Sequence, residues 1–498
     1  MDDIDFTLVD ANGARRTCSL PGDTPLNAAL MSCIDDSELG DFTFEIRVRP
    51  RDRGVQQQEP PAKRARASAL TWSEIAPAKQ AELMSLLFGA DAQDEDRRRW
   101  LSQKFAFAQY DSSSQDTKGT EFRAGLRQLF GGPCGVLAPL QGELVAQLFF
   151  HGEKKGLHCT HVDACAALAH VMLRVLERCK PTEDSDLHIC MQSDSQQSLR
   201  CLRVTRSNTA DVLSCLTDLV AQGSLRVVDL VFSALLTRTA AGVREDMDEP
   251  DAMVQRFGHT SQALLNLMLF GRATNNVFDG DKDLGGLKVH GVPHRSDVGL
   301  LSVLEALRYS KVGDYLKTPK LPIWVIGSSS HYTVLFGTDT NICLQNPVAL
   351  AEQRVMRAFT ELDPQENGFI PIDQLGNLLL KLNEYERLAE FSSLADPDGL
   401  GILLRDHFWM VFRQLNDLLE DDLDLQRPRR FDLYFWNGLG SQLEPKLLRV
   451  DVNTEGILSG LGGPGPGNRG SADSLDDVIR TKWPHAVCAY PDGECKIN

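Results

Sequence analysis

Two segments of the chain, LPIWVIGSSSHYTVLFG at 321–337 and RFDLYFWNGLG at 430–440, are dense in aromatic and β-branched residues, the composition that suits strands. Nearly a hundred residues separate them. A sheet that uses both must be left and re-entered, so the interval should be an insertion. Upstream, SEIAPAKQAELMSLLFG, ELVAQLFF, HVDACAALAHVMLRVLERC and TADVLSCLTDLVAQG carry apolar residues at helical spacing, which makes the middle of the chain mainly helical. At 498 residues there is enough chain for two or three cores.

The interval has a helix–loop–helix form twice over. In VMRAFTELDPQENGFIPIDQLGNLLLKL, counting Asp363 as loop position 1 puts Gln365, Asn367 and Gly368 at positions 3, 5 and 6, Ile370 at 8 and Gln374 at 12. Asp396, Asp398, Leu400, Gly401, Leu403 and His407 fall at the same positions in the second loop. That is the spacing of an EF-hand pair. Its chemistry is missing, because calcium needs hard anionic oxygens and a bidentate Glu at position 12. A structural, metal-free pair over 347–424 is the expectation. DGDKD at 279–283 has no glycine at position 6 and reads as an acidic surface turn. LNDLLEDDLDL at 415–425 reads as an exposed amphipathic helix at a domain edge.

The first 49 residues form a separate unit by pattern. IDFTLVD alternates, ANG supplies a hairpin turn, ARRTCSL returns, Thr24 and Pro25 open a helix, and DFTFEIRV alternates again. This is the opening of a ubiquitin-like β-grasp module or a plain strand-rich appendage. Residues 50–68 follow as a flexible basic linker, in which Pro61, Lys63, Arg64 and Arg66 resemble a short nuclear-import signal. SGLGGPGPGNRGSADS at 459–474 reads as a glycine-rich surface loop.

The formal charge of −17 argues against nucleic acid or an anionic bilayer as partner. No stretch approaches the ~18 consecutive apolar residues of a membrane span, and the acidic N-terminus is not a secretory signal. The chain is therefore expected to be intracellular, nuclear or cytoplasmic. Twelve cysteines without a C-x-x-C pair fit reduced, packed thiols better than disulfides or zinc. HCTHVDAC, with His158, Cys159, His161 and Cys165, is the nearest approach to a metal cluster, but it lacks a second ligand pair and reads as packing.

One thiol stands apart. In QLFGGPCGVLAPLQ, Gly131, Gly132 and Pro133 lead into Cys134, which opens an apolar helical pattern interrupted by Pro139, so the regular helix is expected to begin near that proline. A helix N-terminus and a nearby imidazolium would favour the thiolate a nucleophile needs. Of eleven histidines, His331 is best placed, after a Gly-Ser-Ser-Ser turn and at the start of HYTVLFG. The order Cys then strand His is that of papain-like enzymes, and Gln128 lies six residues before Cys134, where such enzymes carry an oxyanion-binding glutamine. Read from the residues alone, a packed thiol and a structural histidine remain the alternatives. The group that orients His331 is open: Asp339 and Asn341 are candidates by position, and Asn437 reads as a hairpin turn.

At these residues the chain resembles the MINDY family of deubiquitinases, in particular its branch with an EF-hand-like insertion. The likeness is carried in order by RRRWLSQKFAFAQ, QLFGGPCGVLAPLQ, FGHTSQALLNLMLFGRATNNVFDGD, LEALRYSKVGDYLKTPKLPIWVIGSSSHYTVLF, DPQENGFIP and RTKWPH, over about residues 70–485. The resemblance implies a thiol isopeptidase that trims lysine-48-linked ubiquitin chains, with Cys134 as nucleophile, His331 as general base and Gln128 as oxyanion donor, and with no cofactor or metal. Partners would be ubiquitin and polyubiquitin; the oligomeric state is not legible. The expected fold is α+β: a papain-like cysteine protease-type core over 69–346 and 425–490, with a helical part and a mixed sheet, the inserted EF-hand-like pair, and the small N-terminal β-grasp-like module. A catalytically silent ubiquitin-binding protein and a calcium-responsive scaffold are the competing functions.

Overall fold

The computed structural model describes residues 3–9, 15–20, 43–49, 70–90, 92–109, 119–152, 154–193, 198–205, 208–344, 347–363, 365, 367–397, 399–418, 428–439, 446–454 and 474–497. The chain divides into two compact units, residues 1–67 and 68–498. In the first, β1 (Asp3–Val9), β2 (Arg15–Leu20) and β3 (Thr43–Arg49) form one sheet in the order β2-β1-β3, with both pairings antiparallel. The helix expected after Thr24, the basic linker, and most of the acidic run and glycine-rich loop lie outside the described residues.

The second unit opens with β4 (Trp72–Glu74), which joins β5 (Leu187–Gln192) and β6 (Leu199–Val204) in a small antiparallel sheet, β4-β6-β5. Its helices are α1 (Pro77–Phe88), α2 (Asp94–Ser102), α3 (Cys134–Val145), α4 (His161–Cys179), α5 (Thr209–Ala221), α6 (Val227–Arg238), α7 (Ala240–Asp246) and α8 (Gln262–Phe270). The start of α4 follows from its cap: Asp163 N–H donates to Thr160 Oγ1 at 3.2 Å and Thr160 N–H to Asp163 Oδ2 at 2.8 Å, a reciprocal capping box.

A hairpin of β7 (Lys282–Leu284) and β8 (Leu287–Val289) precedes the main sheet. That sheet begins with β9 (Gly299–Ser302), β10 (Ile323–Gly327) and β11 (Tyr332–Phe336). The chain then departs through α9 (Pro347–Thr360), β12 (Phe369–Pro371), α10 (Leu375–Leu382), α11 (Leu388–Ala395), β13 (Ile402–Leu404) and α12 (Arg405–Leu415). It returns as β14 (Arg430–Trp436), antiparallel to β11, followed by β15 (Leu448–Asn453) and β16 (Val487–Ala489). The order β16-β15-β14-β11-β10-β9, with only β9 and β10 parallel, makes the sheet mixed and the chain α+β.

The excursion packs its own core of Val355, Phe359, Leu378, Phe391, Phe408 and Phe412. Its two loops meet through β12 and β13, with Ile370 opposite Leu403. It also touches the rest of the unit: the Arg357 guanidinium stacks on Tyr315 at 4.6 Å and lies 3.6 Å from Asp279. Asp279 is thus no free surface acid. Its carboxylate accepts the N–H groups of Asp314 and Tyr315 at 3.0 and 2.9 Å.

Helix α3 is the centre of the unit, and all twelve of its residues are buried. It begins at Cys134 rather than near Pro139, because Val136 and Leu137 N–H both donate to the Pro133 carbonyl. Pro139 removes one internal bond and crowds the turn before it, a defect of about 3 kcal/mol in an ordinary helix. Burial offsets it: Val136, Leu140 and Leu144 are fully enclosed, at about 1.5–3 kcal/mol each. Close approach selects two glycines. A Cβ on Gly135 would lie 2.6 Å from Thr260 and one on Gly142 2.8 Å from Val298. The one acid of α3, Glu143, is fully buried and pairs with Arg178 of α4 at 2.6 Å. Arg178→Met leaves that carboxylate short of its nearest partner, and urea denaturation should show about 3 kcal/mol of lost stability.

Candidate active site

Cys134 occupies the first turn of α3 and is 4% exposed. The loop before it is held on three sides. Gln128 N–H donates to Gly438 O at 2.7 Å, stitching the loop to the segment after β14. The buried amide oxygen of Gln103 accepts the N–H groups of Leu129 and Phe130 at 2.9 and 3.0 Å. Thr260 Oγ1 donates to the Gly132 carbonyl at 3.2 Å. Gly132 has φ 128°, and a Cβ there would lie 2.6 Å from Trp100 Nε1, so no larger residue fits.

His331 stands one residue before β11. Its N–H donates to Ser328 Oγ at 2.9 Å, and its carbonyl accepts Ser328 N–H at 2.9 Å, so the Gly-Ser-Ser-Ser turn closes on it. Because β11 packs on α3, the Tyr332 N–H points at the Cys134 thiol. Cys134, His331 and Gln128 line one cleft together with Gln141, Trp436 and Asn437. Its cavity volume is about 20 Å³, room for about one water.

Asn437 opens the connection between the antiparallel strands β14 and β15, as the hairpin-turn reading has it, and also lies beside the His331 imidazole. Its carbonyl lies 3.3 Å from His331 Nε2, while its side chain is anchored on Lys496 O at 2.7 Å and accepts Leu439 N–H at 3.2 Å. Asp339 instead accepts Asn341 N–H at 2.9 Å and caps a short turn, so neither residue serves the imidazole. Gln128 donates one amide hydrogen to Phe130 O at 2.9 Å, and its buried Oε1 has no hydrogen-bond partner.

Electrostatics depart from the thiolate expectation. Burial pushes the Cys134 thiol up to about 11, against the N–H groups of Tyr332, Gly135 and Cys134 itself, which pull it down. Burial also lowers the His331 imidazole below its ordinary value, partly offset by its bonds to Asn437. A thiol raised and an imidazole lowered are both neutral at pH 7. The helix N-terminus does not win here because the thiol is enclosed before any substrate arrives.

Sequence reasoning missed Trp100, Gln103 and Gln141. They sit in RRRWLSQKFAFAQ and in α3 as polar groups without a periodic signature, and only the packed loop reveals their work. Asn437 has a local signal in the sequence, since it directly follows the strand RFDLYFW. Within HCTHVDAC, His161 Nε2 lies 3.6 Å from Cys165 Sγ one turn along α4. Among the described residues no three His, Cys, Asp or Glu side chains group closely enough to hold a metal ion. Nor is any described helix long and apolar enough to cross a membrane.

A thiol opening a buried helix, an imidazole at the mouth of the adjoining strand and amides on either side are the groups of a cysteine-type hydrolase. A family model described as "Deubiquitinating enzyme MINDY-3/4, conserved domain" matches residues 84–359. The ubiquitin carboxyl-terminal hydrolases MINDY-3 of Homo sapiens and of Bos taurus are each 31% identical over 452 residues, covering 81% of this chain and 96% of the relative. The probable ubiquitin carboxyl-terminal hydrolase MINDY-4 of Homo sapiens is 31% identical over 289 residues, 52% of this chain and 36% of its own. No solved structure matches. The chain belongs to the MINDY-3/4 family of deubiquitinating enzymes; it is a cysteine-type deubiquitinase whose substrate is ubiquitin.

With a thiol at about 11, the thiolate fraction at pH 7 is about a hundredfold below that of an ordinary cysteine. Iodoacetamide should therefore alkylate Cys134 of the substrate-free protein slowly at pH 7, with the rate rising about tenfold per pH unit until pH nears 11. Peptide mass spectrometry across that range checks it.

Proposed function

We propose that the chain hydrolyses lysine-48-linked polyubiquitin, with Cys134 as nucleophile, His331 as general base and then acid, Gln128 as oxyanion donor and Asn437 as the group that orients His331. The observation that carries this reading is the convergence of Cys134, His331 and Gln128 on one cleft, from a helix, a strand end and a loop far apart in sequence. The lysine-48 preference rests on the family resemblance.

Asn437 O as the acceptor for Nε2–H leaves Nδ1 of His331 with its lone pair free for the thiol proton. As the Cys134 sulfur bonds to the isopeptide carbonyl carbon, the proton passes to His331 and the carbonyl oxygen becomes an oxyanion. The second amide hydrogen of Gln128 and the Cys134 N–H at the start of α3 are its donors. The C–N bond then breaks as His331 returns the proton to the lysine amine, leaving a thioester. His331 next takes a proton from water, whose oxygen attacks the thioester and frees the ubiquitin carboxylate and the thiol. In the substrate-free chain the cleft beside Cys134 holds about one water. This chemistry calls on no residue before 68, and its catalytic domain is 69–346 with 425–490.

The insertion at 347–424 is read as a metal-free EF-hand-like pair. Asp363 spends its carboxylate on the N–H groups of Asn367 and Gly368 at 3.0 and 2.7 Å, and Asp396 on those of Leu400 and Gly401 at 2.8 and 2.7 Å. At position 12, Gln374 accepts from Asn377 at 2.9 Å and His407 pairs with Leu394 O at 2.9 Å, where a calcium loop needs a bidentate Glu.

Incubation of the full chain and its variants with ubiquitin chains of each linkage tests the assignment. Cys134→Ala should abolish cleavage, His331→Ala should lower kcat by about 10²–10⁴, and Gln128→Ala by about 10²–10³ with a smaller effect on KM. Equal cleavage of several linkages would keep the thiol chemistry and reject the lysine-48 preference; full activity of Cys134→Ala would reject the mechanism. Calorimetric titration with calcium should give no binding heat, and tight binding would contradict the structural reading of the insertion.

A further inference from the structure

Residues 436–439 join the two halves of the candidate site. The Asn437 carbonyl faces His331 Nε2, while the Gly438 carbonyl accepts Gln128 N–H at 2.7 Å on the nucleophile loop. Trp436 Nε1 adds a bond to Leu126 O at 3.1 Å. Gly438 has φ 73°, and a Cβ there would lie 2.8 Å from Leu126 O, so the segment has no slack against that loop. The Asn437 side chain is held from a third direction: its Nδ2 donates to Lys496 O at 2.7 Å.

The segment that carries Lys496 is itself fixed. After β16, Gly493 N–H closes a turn on Tyr490 O at 3.1 Å, and Asp492 accepts Arg449 N–H at 2.9 Å. Cys495 and Ile497 then alternate inward, 7% and 2% exposed, into the core that holds Leu433 and Phe435 of β14. Lys496 faces outward between them, and its two buried neighbours hold its carbonyl in place from either side.

We propose that residues 495–497 are a positioning element of the hydrolysis, because the Lys496 carbonyl decides which end of the Asn437 amide faces His331. The inference rests on the reading of His331 as general base and deepens it. A primary amide has a donor end and an acceptor end. With Nδ2 bound to Lys496 O, Oδ1 is left for Leu439 N–H at 3.2 Å and for the imidazole. The bonds from Asn437 favour the protonated ring, as an oxygen acceptor does and an N–H donor does not. Without the Lys496 carbonyl the amide is free to turn over and present a donor to a ring that must take the thiol proton. The segment acts through Asn437 and not on the reacting atoms.

The test separates positioning from folding. In the full chain, Ile497→Asp expels the segment from its core, Ile497→Val keeps it there, and Val452→Ala weakens the same core at the other end of β14, opposite Phe431. The tautomer of His331 is read from the ring-nitrogen chemical shifts of isotope-labelled histidine, assigned with His331→Ala, and steady-state cleavage of ubiquitin chains gives kcat and KM. The parent ring should carry its proton on Nε2. Ile497→Asp should mix the two tautomers and lower kcat about tenfold with KM within about twofold, while Ile497→Val and Val452→Ala keep the parent tautomer and kcat. Parent-like ring signals and kcat in Ile497→Asp overturn the proposal and leave the active-site reading intact. The same loss in Val452→Ala also overturns it, since that marks the segment as structural only. A parent ring protonated on Nδ1 rejects Asn437 as the group that orients His331, and the positioning element with it.

Discussion

The burial of helix α3 along its entire length is the constraint on which the rest of the molecule depends. A helix enclosed on every side must meet close neighbours everywhere, which is why Gly135 abuts Thr260, Gly142 abuts Val298, and the lone acid Glu143 pairs with Arg178. The enclosure also tolerates Pro139, because the surrounding contacts hold a helix that its own hydrogen bonds would leave weak. Since β11 packs directly on α3, the residue before β11 and the first residue of α3 share one cleft, and His331 meets the Cys134 loop without any local sequence link between them.

The same burial that places the thiol also quiets it. Enclosure favours the neutral form of both Cys134 and His331, and the N–H groups of Tyr332, Gly135 and Cys134 offset only part of that. A protonated, enclosed thiol reacts slowly with oxidants and alkylating agents. The backbone N–H groups already aimed at the sulfur are those that stabilise negative charge once the cleft opens. Gln103 and Thr260 tether the loop before Cys134 through bonds to its backbone groups.

Much of this was legible in the chain. The aromatic and β-branched run at 321–337 holds β10 and β11, the run at 430–440 holds β14 beside β11, and the segment between them leaves the sheet and comes back, because strand composition and helical period are local properties. The helix of HVDACAALAHVMLRVLERC was readable to its ends, since Thr160 and Asp163 are a capping box written in sequence. What was not legible depends on distance. Pro139 was given a helix start that tertiary packing overrides, and the thiolate expected at a helix N-terminus ignores enclosure by a strand two hundred residues away. Asp339 and Asn341 were proposed partners of His331 by nearness in sequence, whereas Asn437, more than a hundred residues on, is the one brought to its Nε2. The work of Gln103 is equally invisible, because a buried amide holding a backbone loop has no period and no spacing.

The central claim is that Cys134, of all the thiols in the chain, is the one ubiquitin's carboxyl terminus reaches. Cys215 is more exposed than Cys134, so indiscriminate thiol chemistry would choose it first. The direct measurement is to react the full chain with ubiquitin bearing an electrophile at its carboxyl terminus and map the adduct by peptide mass spectrometry. The account predicts a single adduct on Cys134, lost when the protein is unfolded first. An adduct on Cys215 or Cys488, or none at all while ubiquitin chains are still cleaved, would contradict it.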